Sequence, residues 1–334
     1  MVTVTPITMS GVFAPLADDF VAFKRAQGYK YYTEAKILQR FCRFTEEYSL
    51  TAPVLTRELA MDWTSPRDGE AAKSRLHRVS VLNQFSKYLE LTGHQVCMLP
   101  SCHWSQGSFT PYIFTHVEMD KLFQAADNIR PIAQARDLHK ELPVLFRLLY
   151  GCGLRVSEAV GLLCRDVDLE KGILTIREAK NGRDRLIPLS GSLLKLLCDH
   201  RENTAYRLCD DDFFFPAPDR TILSPNTVYQ RFRKLLWNAG IPYNGKGNGP
   251  RLHDIRHTFA VHTLQKWVEH GEDLTAMLPV RSVFMGHRSM RATSQYLRLT
   301  AEVYSDVVRQ VETVCAHVIP GGEEMRNVDA VIVN

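Results

Sequence analysis

The sequence predicts a mainly α-helical fold with one small antiparallel β-sheet, distributed over two domains. Apolar residues recur at helical spacing along most of the chain, which is typical of amphipathic helices. Two short apolar segments flank Asn181-Gly182, a dipeptide that favours a tight hairpin turn. The helical periodicity stops between residues 93 and 111, where glycine, proline and serine indicate a linker. We therefore expect a helical domain at residues 1–108 and a second domain from residue 109.

The first domain is predicted to contain four helices between residues 11 and 92. One of them is a short helix around Trp63. The last helix has an apolar stripe, while Lys73, Arg75 and Arg78 make its first half basic. The apolar positions that define the longer helices are Leu16, Phe20, Phe23, Ile37, Leu38, Phe41, Phe44, Leu76, Val79, Leu82, Phe85 and Leu89.

The second domain begins at a motif with capping-box spacing, Thr115 to Glu118. Ser224-Pro225 has the form of an N-cap followed by proline at the first helical position, which predicts a helix over 225–238. The remaining expected elements are a helix that ends at Tyr150-Gly151, a new helix directly after Gly153, strands at 173–177 and 185–189, a helix at 253–268 and further helix near the C-terminus.

The composition limits the class of protein. The chain has 334 residues, of which 45% are hydrophobic, which suits a globular protein and excludes disorder and fibrous repeats. No apolar run approaches the roughly eighteen residues that a membrane span needs, and the first ten residues lack the pattern of a signal peptide. We therefore expect a cytoplasmic protein without a membrane partner, whose eight scattered cysteines stay reduced.

The net charge of +4 conceals an uneven distribution. Residues 220–300 contain twelve Lys and Arg against four Asp and Glu, whereas residues 301–334 contain two basic and six acidic residues. A basic segment of this size suits a phosphate backbone. A solvated basic face explains the same charge equally well.

Two basic residues lie where local structure would hold them. Arg155 follows a Gly151-Cys152-Gly153 turn, close to the start of a new helix, where backbone N–H groups favour an anion. Lys180 lies at the hairpin turn, from which its long side chain could reach a ligand. Each is an ordinary surface residue under the alternative interpretation.

His253, Arg256 and His257 lie three or four residues apart, on one face of a predicted helix. Histidines at this spacing can bind zinc, but a metallohydrolase of that type has glutamate after the first histidine. Here an arginine shares the face, which argues for an anionic substrate. A second cluster, in the linker and with irregular spacing, consists of His94, Cys97, Cys102 and His103. We expect no metal at either cluster and no cofactor.

A tyrosine completes the set of candidates. Tyr296 follows Gly286-His287 by nine residues. Its hydroxyl has an ordinary pKa near 10, so it is a nucleophile only where cations and hydrogen bonds stabilise the phenolate. A half-buried aromatic residue with its hydroxyl at the surface is the common alternative.

Taken in chain order, these fragments resemble the tyrosine recombinase (phage integrase) family. The matching positions are Leu154-Arg155-x-Ser157-Glu158, Lys180 on a hairpin, Leu252-His253-x-x-Arg256-His257, Gly286-His287 and Tyr296. The resemblance covers residues 109–300 and extends less specifically to the N-terminal helices. It implies a helical core-site DNA-binding domain followed by a catalytic domain with the DNA breaking-rejoining fold.

The resemblance also implies a role for each candidate. Arg155 and Arg256 would clamp the scissile phosphate, and His253 and His287 would hydrogen-bond it or manage protons. Lys180 would protonate the leaving oxygen. The nucleophile would be Tyr296 and the supporting residue Glu158. DNA contacts are expected from Lys73, Arg75, Arg78, Arg231, Arg233 and Lys234.

Family members exchange C-terminal helices in a tetramer on DNA, so residues 301–334 are expected to mediate protomer contacts. Val303, Val307, Val311 and Val314 give this segment an apolar helical face. A neighbouring protomer is the favoured partner of this face, and its own domain is the alternative. The expected partners are thus double-stranded DNA with specific core sites and further copies of the chain in a homo-tetramer. Whether accessory recombination proteins take part is left open. When bound to DNA, the protein would be associated with the nucleoid.

The segment between Arg256 and His287 is longer than in compact members and resembles transposon-borne recombinases. The expected activity is site-specific recombination through a 3′-phosphotyrosine, without metal or ATP. Two alternatives share the fold: a DNA-binding regulator that no longer reacts, and a type IB topoisomerase-like enzyme that relaxes DNA.

Overall fold

The fold class predicted from the sequence is confirmed: the chain is mostly helical and has one small antiparallel sheet. The structure, a computed structural model, describes residues 7–48, 50–97, 110–131, 137–177, 184–203, 208–243, 245 and 249–286. Two compact units divide the chain, Met1–Ser108 and Phe109–Asn334. None of the helices in the described ranges is long and apolar enough to cross a membrane.

The first unit is built around aromatic side chains. The ring of Phe85 lies 5.4 Å from that of Phe20 and 6.3 Å from those of Phe13 and Phe41. Trp63 packs edge-on against Phe41, in the short helix expected around it. Tilted and edge-on pairs of this kind are the favoured arrangements of aromatic rings. The helices are α1 (Ala14–Ala26), α2 (Tyr32–Thr45), α3 (Arg57–Thr64) and α4 (Ala72–Leu91).

The second unit packs its helices around α6, which is apolar on most of its surface and contacts α5, α8 and α10. A helix that is apolar on most sides must be covered by neighbouring helices, which explains the central position of α6. The helices are α5 (His116–Asp127), α6 (Leu138–Cys152), α7 (Val156–Val160), α8 (Gly191–Glu202), α9 (Pro225–Asn238), α10 (Asp254–Glu269) and α11 (Leu274–Met285).

The sheet contains three antiparallel strands in the order β1-β2-β3, formed by Val167–Asp168, Ile173–Ile176 and Arg185–Pro188. The predicted hairpin is confirmed, since β2 and β3 pair from Ile173 with Pro188 to Ile176 with Arg185. Residues 178–183, which include the expected turn, lie outside the described residues. The sequence did not predict β1, because a two-residue strand is too short to show an alternating pattern.

Helices start at both predicted capping signals, Thr115 and Ser224-Pro225. Thr115 accepts the backbone N–H of Glu118 at 3.2 Å, and the Glu118 carboxylate accepts the backbone N–H of Thr115 at 2.8 Å. Ser224 precedes α9 as expected, but its side chain makes no capping hydrogen bond, and Pro225 occupies the first turn. His253 is the residue before α10 rather than part of it.

A glycine connects α6 to α7 at a point where the backbone passes close to Phe259 of α10. Gly153 has a φ of +57°, the left-handed region that favours glycine. A Cβ atom at this position would lie 2.3 Å from Cδ1 of Phe259, closer than any real contact. The backbone can therefore turn here only because residue 153 has no side chain.

Gly153→Ala is expected to lower the free energy of unfolding by about 3 kcal/mol, since it combines a strained φ with overpacking against Phe259. Urea denaturation followed by circular dichroism measures this loss. Gly191→Ala is the matched control, because an added Cβ would have no heavy atom within 4 Å and should change stability by less than about 1 kcal/mol. Equal stability of the two variants would contradict this account of Gly153.

Candidate active site

A buried carboxylate, Glu158, lies at the centre of the candidate site and contacts three arginines. Its side chain is 6% exposed. Arg155 donates to Glu158 Oε1 from Nη1 at 2.7 Å, and Arg185 donates to Oε1 and Oε2 at 3.1 and 2.8 Å. Arg256 Nη1 lies 3.9 Å from Oε2. Three guanidiniums around one carboxylate leave an excess of positive charge, which favours an anionic ligand.

The start of α7 positions Arg155. The Glu158 carboxylate, three residues into the helix, accepts the backbone N–H of Arg155 at 2.9 Å as well as its guanidinium. One acidic side chain therefore fixes both the backbone and the side chain of Arg155. The arginine side chain keeps 20% of its surface exposed, so its remaining donor surface is accessible to a ligand.

Arg256 is more deeply placed than the sequence suggested. It lies in the first turn of α10 with 2% of its surface exposed. Its Nη1 donates to the carbonyl oxygen of Gly153 at 2.6 Å, and its Nη2 donates to that of Met285. The Gly153 turn and the end of α11 thus fix the plane of this guanidinium.

The start of α10 is fixed by Asp254, which the sequence analysis did not single out. Its buried carboxylate accepts the backbone N–H of Arg251 at 2.8 Å and the Arg251 guanidinium at 3.0 Å. Thr258, one turn later, donates to the Asp254 carbonyl and accepts the backbone N–H of Phe114 at 3.0 Å. These contacts set the orientation in which α10 presents His253 and Arg256.

The acidity of Glu158 follows from its contacts. Burial by itself would raise the pKa of this carboxyl, but the hydrogen bonds and charge of Arg185, together with those from Arg155, outweigh burial and lower the pKa to about 2. Glu158 is therefore ionised at neutral pH, as its support of the arginines requires.

The two histidines of this region are uncharged at neutral pH. The ring centroids of His253 and His257 lie 4.9 Å apart. His253 is exposed on one side, yet desolvation by the protein around the rest of its ring, together with His257 and Arg256, lowers its pKa to about 4. Burial and the cations of Arg251 and Arg256 lower the pKa of His257 to about 4 as well. A neutral imidazole offers one donor and one acceptor nitrogen.

Three predicted site residues, Lys180, His287 and Tyr296, lie outside the described residues. The structure thus brings together Arg155, Glu158, His253 and Arg256 from the predicted set. Within the described ranges, no three His, Cys, Asp or Glu side chains form a group that could hold a metal ion.

Sequence reasoning missed Arg185. Its signal is the strand alternation, because Arg185 shares the inward face of β3 with Ile187 while Leu186 points outward. A charged residue at an inward position needs a buried partner. That partner is Glu158.

The basic residues expected to contact DNA differ in exposure. On α9, Arg233 and Lys234 are exposed and Arg231 is partly buried, and the Arg233 guanidinium stacks on the ring of Tyr243 at 4.4 Å. On α4, Lys73 is exposed, whereas Arg75 is partly buried and donates from Nε to the carbonyl oxygen of Thr64 at 2.9 Å.

Arg78 does not fit the expectation of a surface contact. It is 3% exposed, and its guanidinium donates to both Glu70 oxygens, at 3.0 and 2.5 Å, and to the carbonyl oxygen of Ser65 at 3.0 Å. The helical pattern placed Arg78 on the basic half of α4, but a neighbouring loop with Glu70 covers it. Its observed role is to connect α4 to that loop.

Comparison with known proteins identifies the family. Residues 113–302, more than half of the chain, match the model of the phage integrase family.

The chain belongs to this family.

Similar full-length proteins agree. The chain is 31% identical over 282 residues to the integrase/recombinase y4rE of Sinorhizobium fredii, covering 83% of this chain and 89% of that one. It is 28% identical over 267 residues to tyrosine recombinase XerD of Pseudomonas putida, covering 78% and 83%. The expected enzyme class, a site-specific tyrosine recombinase, is thereby confirmed.

Solved structures of the family have the same fold as this recombinase. A lambda integrase tetramer bound to a Holliday junction superposes with a TM-score of 0.61 at 18% identity, covering 84% of this chain and 76% of that one. The Tn1549 transposon integrase in complex with transposon right end DNA gives 0.62 at 15% identity, covering 84% and 93%. At these identities, the likeness establishes the fold.

Glu158→Gln is expected to lower the free energy of unfolding by about 3 kcal/mol at neutral pH, because it removes an ionised carboxylate that three arginines share. A pKa lowered from 4.5 to about 2 stabilises the folded state fully above pH 4.5, and this contribution is lost as the pH falls towards 2. The difference between wild type and variant should therefore shrink over that interval.

Urea denaturation at a series of pH values measures this difference. Glu170→Gln, which changes an exposed carboxylate of the same unit, is the matched control and should leave stability almost unchanged. A Glu158→Gln difference that stays constant from neutral pH to pH 2 would be inconsistent with a lowered pKa.

Proposed function

We propose that this recombinase cleaves and rejoins double-stranded DNA through a 3′-phosphotyrosine intermediate on Tyr296, without metal or ATP. The observation that carries the proposal is the set of arginines around Glu158, with Arg155 exposed to a ligand and Arg256 fixed beside it. A positively charged site of this kind, in a member of the phage integrase family, suits a phosphodiester.

Charge neutralisation is the task of the arginines. Attack on a phosphodiester builds negative charge on the non-bridging oxygens of a five-coordinate phosphorus. Guanidiniums that are already oriented can stabilise this charge through paired hydrogen bonds, as a metal ion does elsewhere. Arg155 and Arg256 form this clamp, and Glu158 keeps their orientation.

The histidines manage protons and hydrogen bonds. Because its pKa is lowered to about 4, His253 is neutral and can accept the proton of the attacking hydroxyl or donate to a phosphate oxygen. His287 is the second residue in this role. The Tyr296 oxygen forms a bond to phosphorus as the bond to the 5′ oxygen breaks.

Lys180 supplies the proton that the departing 5′ oxygen needs. The phosphotyrosine conserves the energy of the broken bond, so a 5′ hydroxyl from a partner strand can reverse the step. Strand exchange rather than hydrolysis follows, and no nucleotide cofactor is required.

Two basic surfaces position the DNA. In the first unit, DNA is contacted by Lys73 and Arg75 on α4. In the second unit, it is contacted by Arg231, Arg233 and Lys234 on α9. Contacts of this kind bind phosphates and do not by themselves read the sequence. The exposure of Lys73, Arg233 and Lys234 supports this proposal.

The assembly is a homo-tetramer on DNA, held together by the C-terminal segment. Val303, Val307, Val311 and Val314 supply its apolar face, but they lie outside the described residues. The structural likeness to a lambda integrase tetramer supports this assembly.

We place the protein in the cytoplasm, bound to the nucleoid, with accessory recombination proteins as further candidate partners.

A nicked suicide duplex tests the chemistry, because loss of the short 5′-hydroxyl fragment traps the covalent adduct. Sites are first found by footprinting the Tyr296→Phe protein on fragments of DNA that flank its gene. Wild type should form a detergent-resistant adduct, Tyr296→Phe none, and the control Tyr29→Phe, which alters an exposed tyrosine, a normal amount.

Other outcomes point to the alternatives. A protein that binds these sites but forms no adduct on any of them is a regulator of the same fold. Relaxation of supercoiled DNA without recombinant product from two sites indicates the topoisomerase-like activity.

Lys73→Ala and Arg233→Ala should each weaken DNA binding and reduce the slope of log affinity against log salt by about 1, the value for one phosphate contact. Fluorescence anisotropy across a salt series measures both quantities. Lys171→Ala, which changes an exposed lysine beside Asp168, is the control and should leave the slope unchanged. Arg78→Ala should reduce stability instead, and unchanged slopes in the first two variants would exclude these contacts.

A further inference from the structure

The inference concerns Arg185, a buried arginine whose guanidinium is bonded to protein groups. It is the first residue of β3, and its side chain is 6% exposed. Its ladder partner, Ile176, is the last residue of β2, so Arg185 belongs to the strand pair that is nearest to the turn in sequence. A buried arginine at the end of a short strand must find all its partners within the protein.

The first partner is Glu158. Arg185 donates from both terminal nitrogens to the two carboxylate oxygens, a bidentate pair that fixes the carboxylate plane. The same carboxylate holds the Arg155 guanidinium and its backbone N–H. The position of Arg155 therefore depends on Arg185 through a single intermediate group.

The second partner is the end of α11. Arg185 Nε donates to the carbonyl oxygen of Phe284 at 2.9 Å, and the adjacent carbonyl, that of Met285, accepts from Arg256. A Cβ atom at Gly286 would lie 3.0 Å from Arg185 Nη1, so the guanidinium packs directly on the backbone there. Arg185 and Arg256 thus hold consecutive carbonyls of one helix end.

We propose that Arg185 is a positioning residue, which orients both guanidiniums of the phosphate clamp: Arg155 through Glu158, and Arg256 through the end of α11. This inference rests on the proposed function, in which Arg155 and Arg256 neutralise the scissile phosphate. An arginine is required because one guanidinium plane reaches a carboxylate and a backbone carbonyl together, whereas a lysine ammonium offers its donors from a single atom.

A change of substrate separates positioning from general structural support. In a methylphosphonate at the scissile position, a methyl group replaces one non-bridging oxygen, and the transition state carries less negative charge. Cleavage of this substrate depends less on oriented guanidiniums. A loss of cleavage rate that acts through the clamp is therefore smaller on the methylphosphonate than on the phosphodiester, while a loss caused by a damaged fold is the same on both.

The experiment measures the rate of covalent adduct formation on two suicide duplexes, identical except for a phosphodiester or methylphosphonate at the cleaved position. Arg185→Met should slow the reaction about 100-fold on the diester, the size expected when reacting groups are misplaced by about 1 Å. Arg185→Lys should slow it about 10-fold. Both variants should come within about threefold of wild type on the methylphosphonate.

Arg155→Ala serves as the positive control, since it removes a clamp residue directly and should show the same selective recovery. Arg165→Met, which alters an exposed arginine paired with Asp211, is the matched control and should react normally on both duplexes. If Arg185→Met fails to fold, as judged by circular dichroism, Arg185→Lys decides the question because it keeps a cation beside Glu158.

Equal losses on the two substrates, or no loss on the diester, overturn the positioning role. If wild type and Arg155→Ala behave as described while the Arg185 variants do not, only this inference fails. If wild type forms no adduct on either duplex, the proposed function fails, and the inference fails with it.

Discussion

The catalytic unit depends on one electrostatic constraint, the burial of the Glu158 carboxylate among arginines. A buried carboxylate is costly unless cations and hydrogen-bond donors surround it, and here Arg155, Arg185 and Arg256 do so. Because a guanidinium has a planar fork of donors, each arginine also takes a fixed orientation. The same contacts that make the carboxylate tolerable therefore build a rigid, positively charged surface.

The backbone around this site supplies carbonyl oxygens that hold the buried arginines. Gly153 turns the chain between α6 and α7 and presents its carbonyl to Arg256, and only glycine fits between this turn and Phe259. The end of α11 supplies the carbonyls of Phe284 and Met285. The arginines thus donate hydrogen bonds to main-chain oxygens as well as to the Glu158 carboxylate. Because the main-chain oxygens carry no charge, the buried donors are paired and the site keeps a net positive charge.

The sequence allowed most of the fold to be predicted. Helical periodicity located the four N-terminal helices, the Thr115 capping box located α5, and a turn dipeptide between two apolar segments located the hairpin. The two-residue strand β1 carries no pattern, so it could not be found. The sequence also did not show which basic side chains are exposed. Arg78 belongs to a basic segment, yet Glu70, eight residues earlier, covers it.

By itself, the sequence determined which residue types the chemistry has available and their order along the chain, because motif spacing and local propensity are properties of neighbouring residues. Only the tertiary structure decided how those residues meet. Glu158 and Arg185 are 27 residues apart, and Arg256 and Gly153 are 103 apart. Contacts over such separations arise from the packing of α6, α7, α10 and α11 with the sheet, which no local pattern encodes.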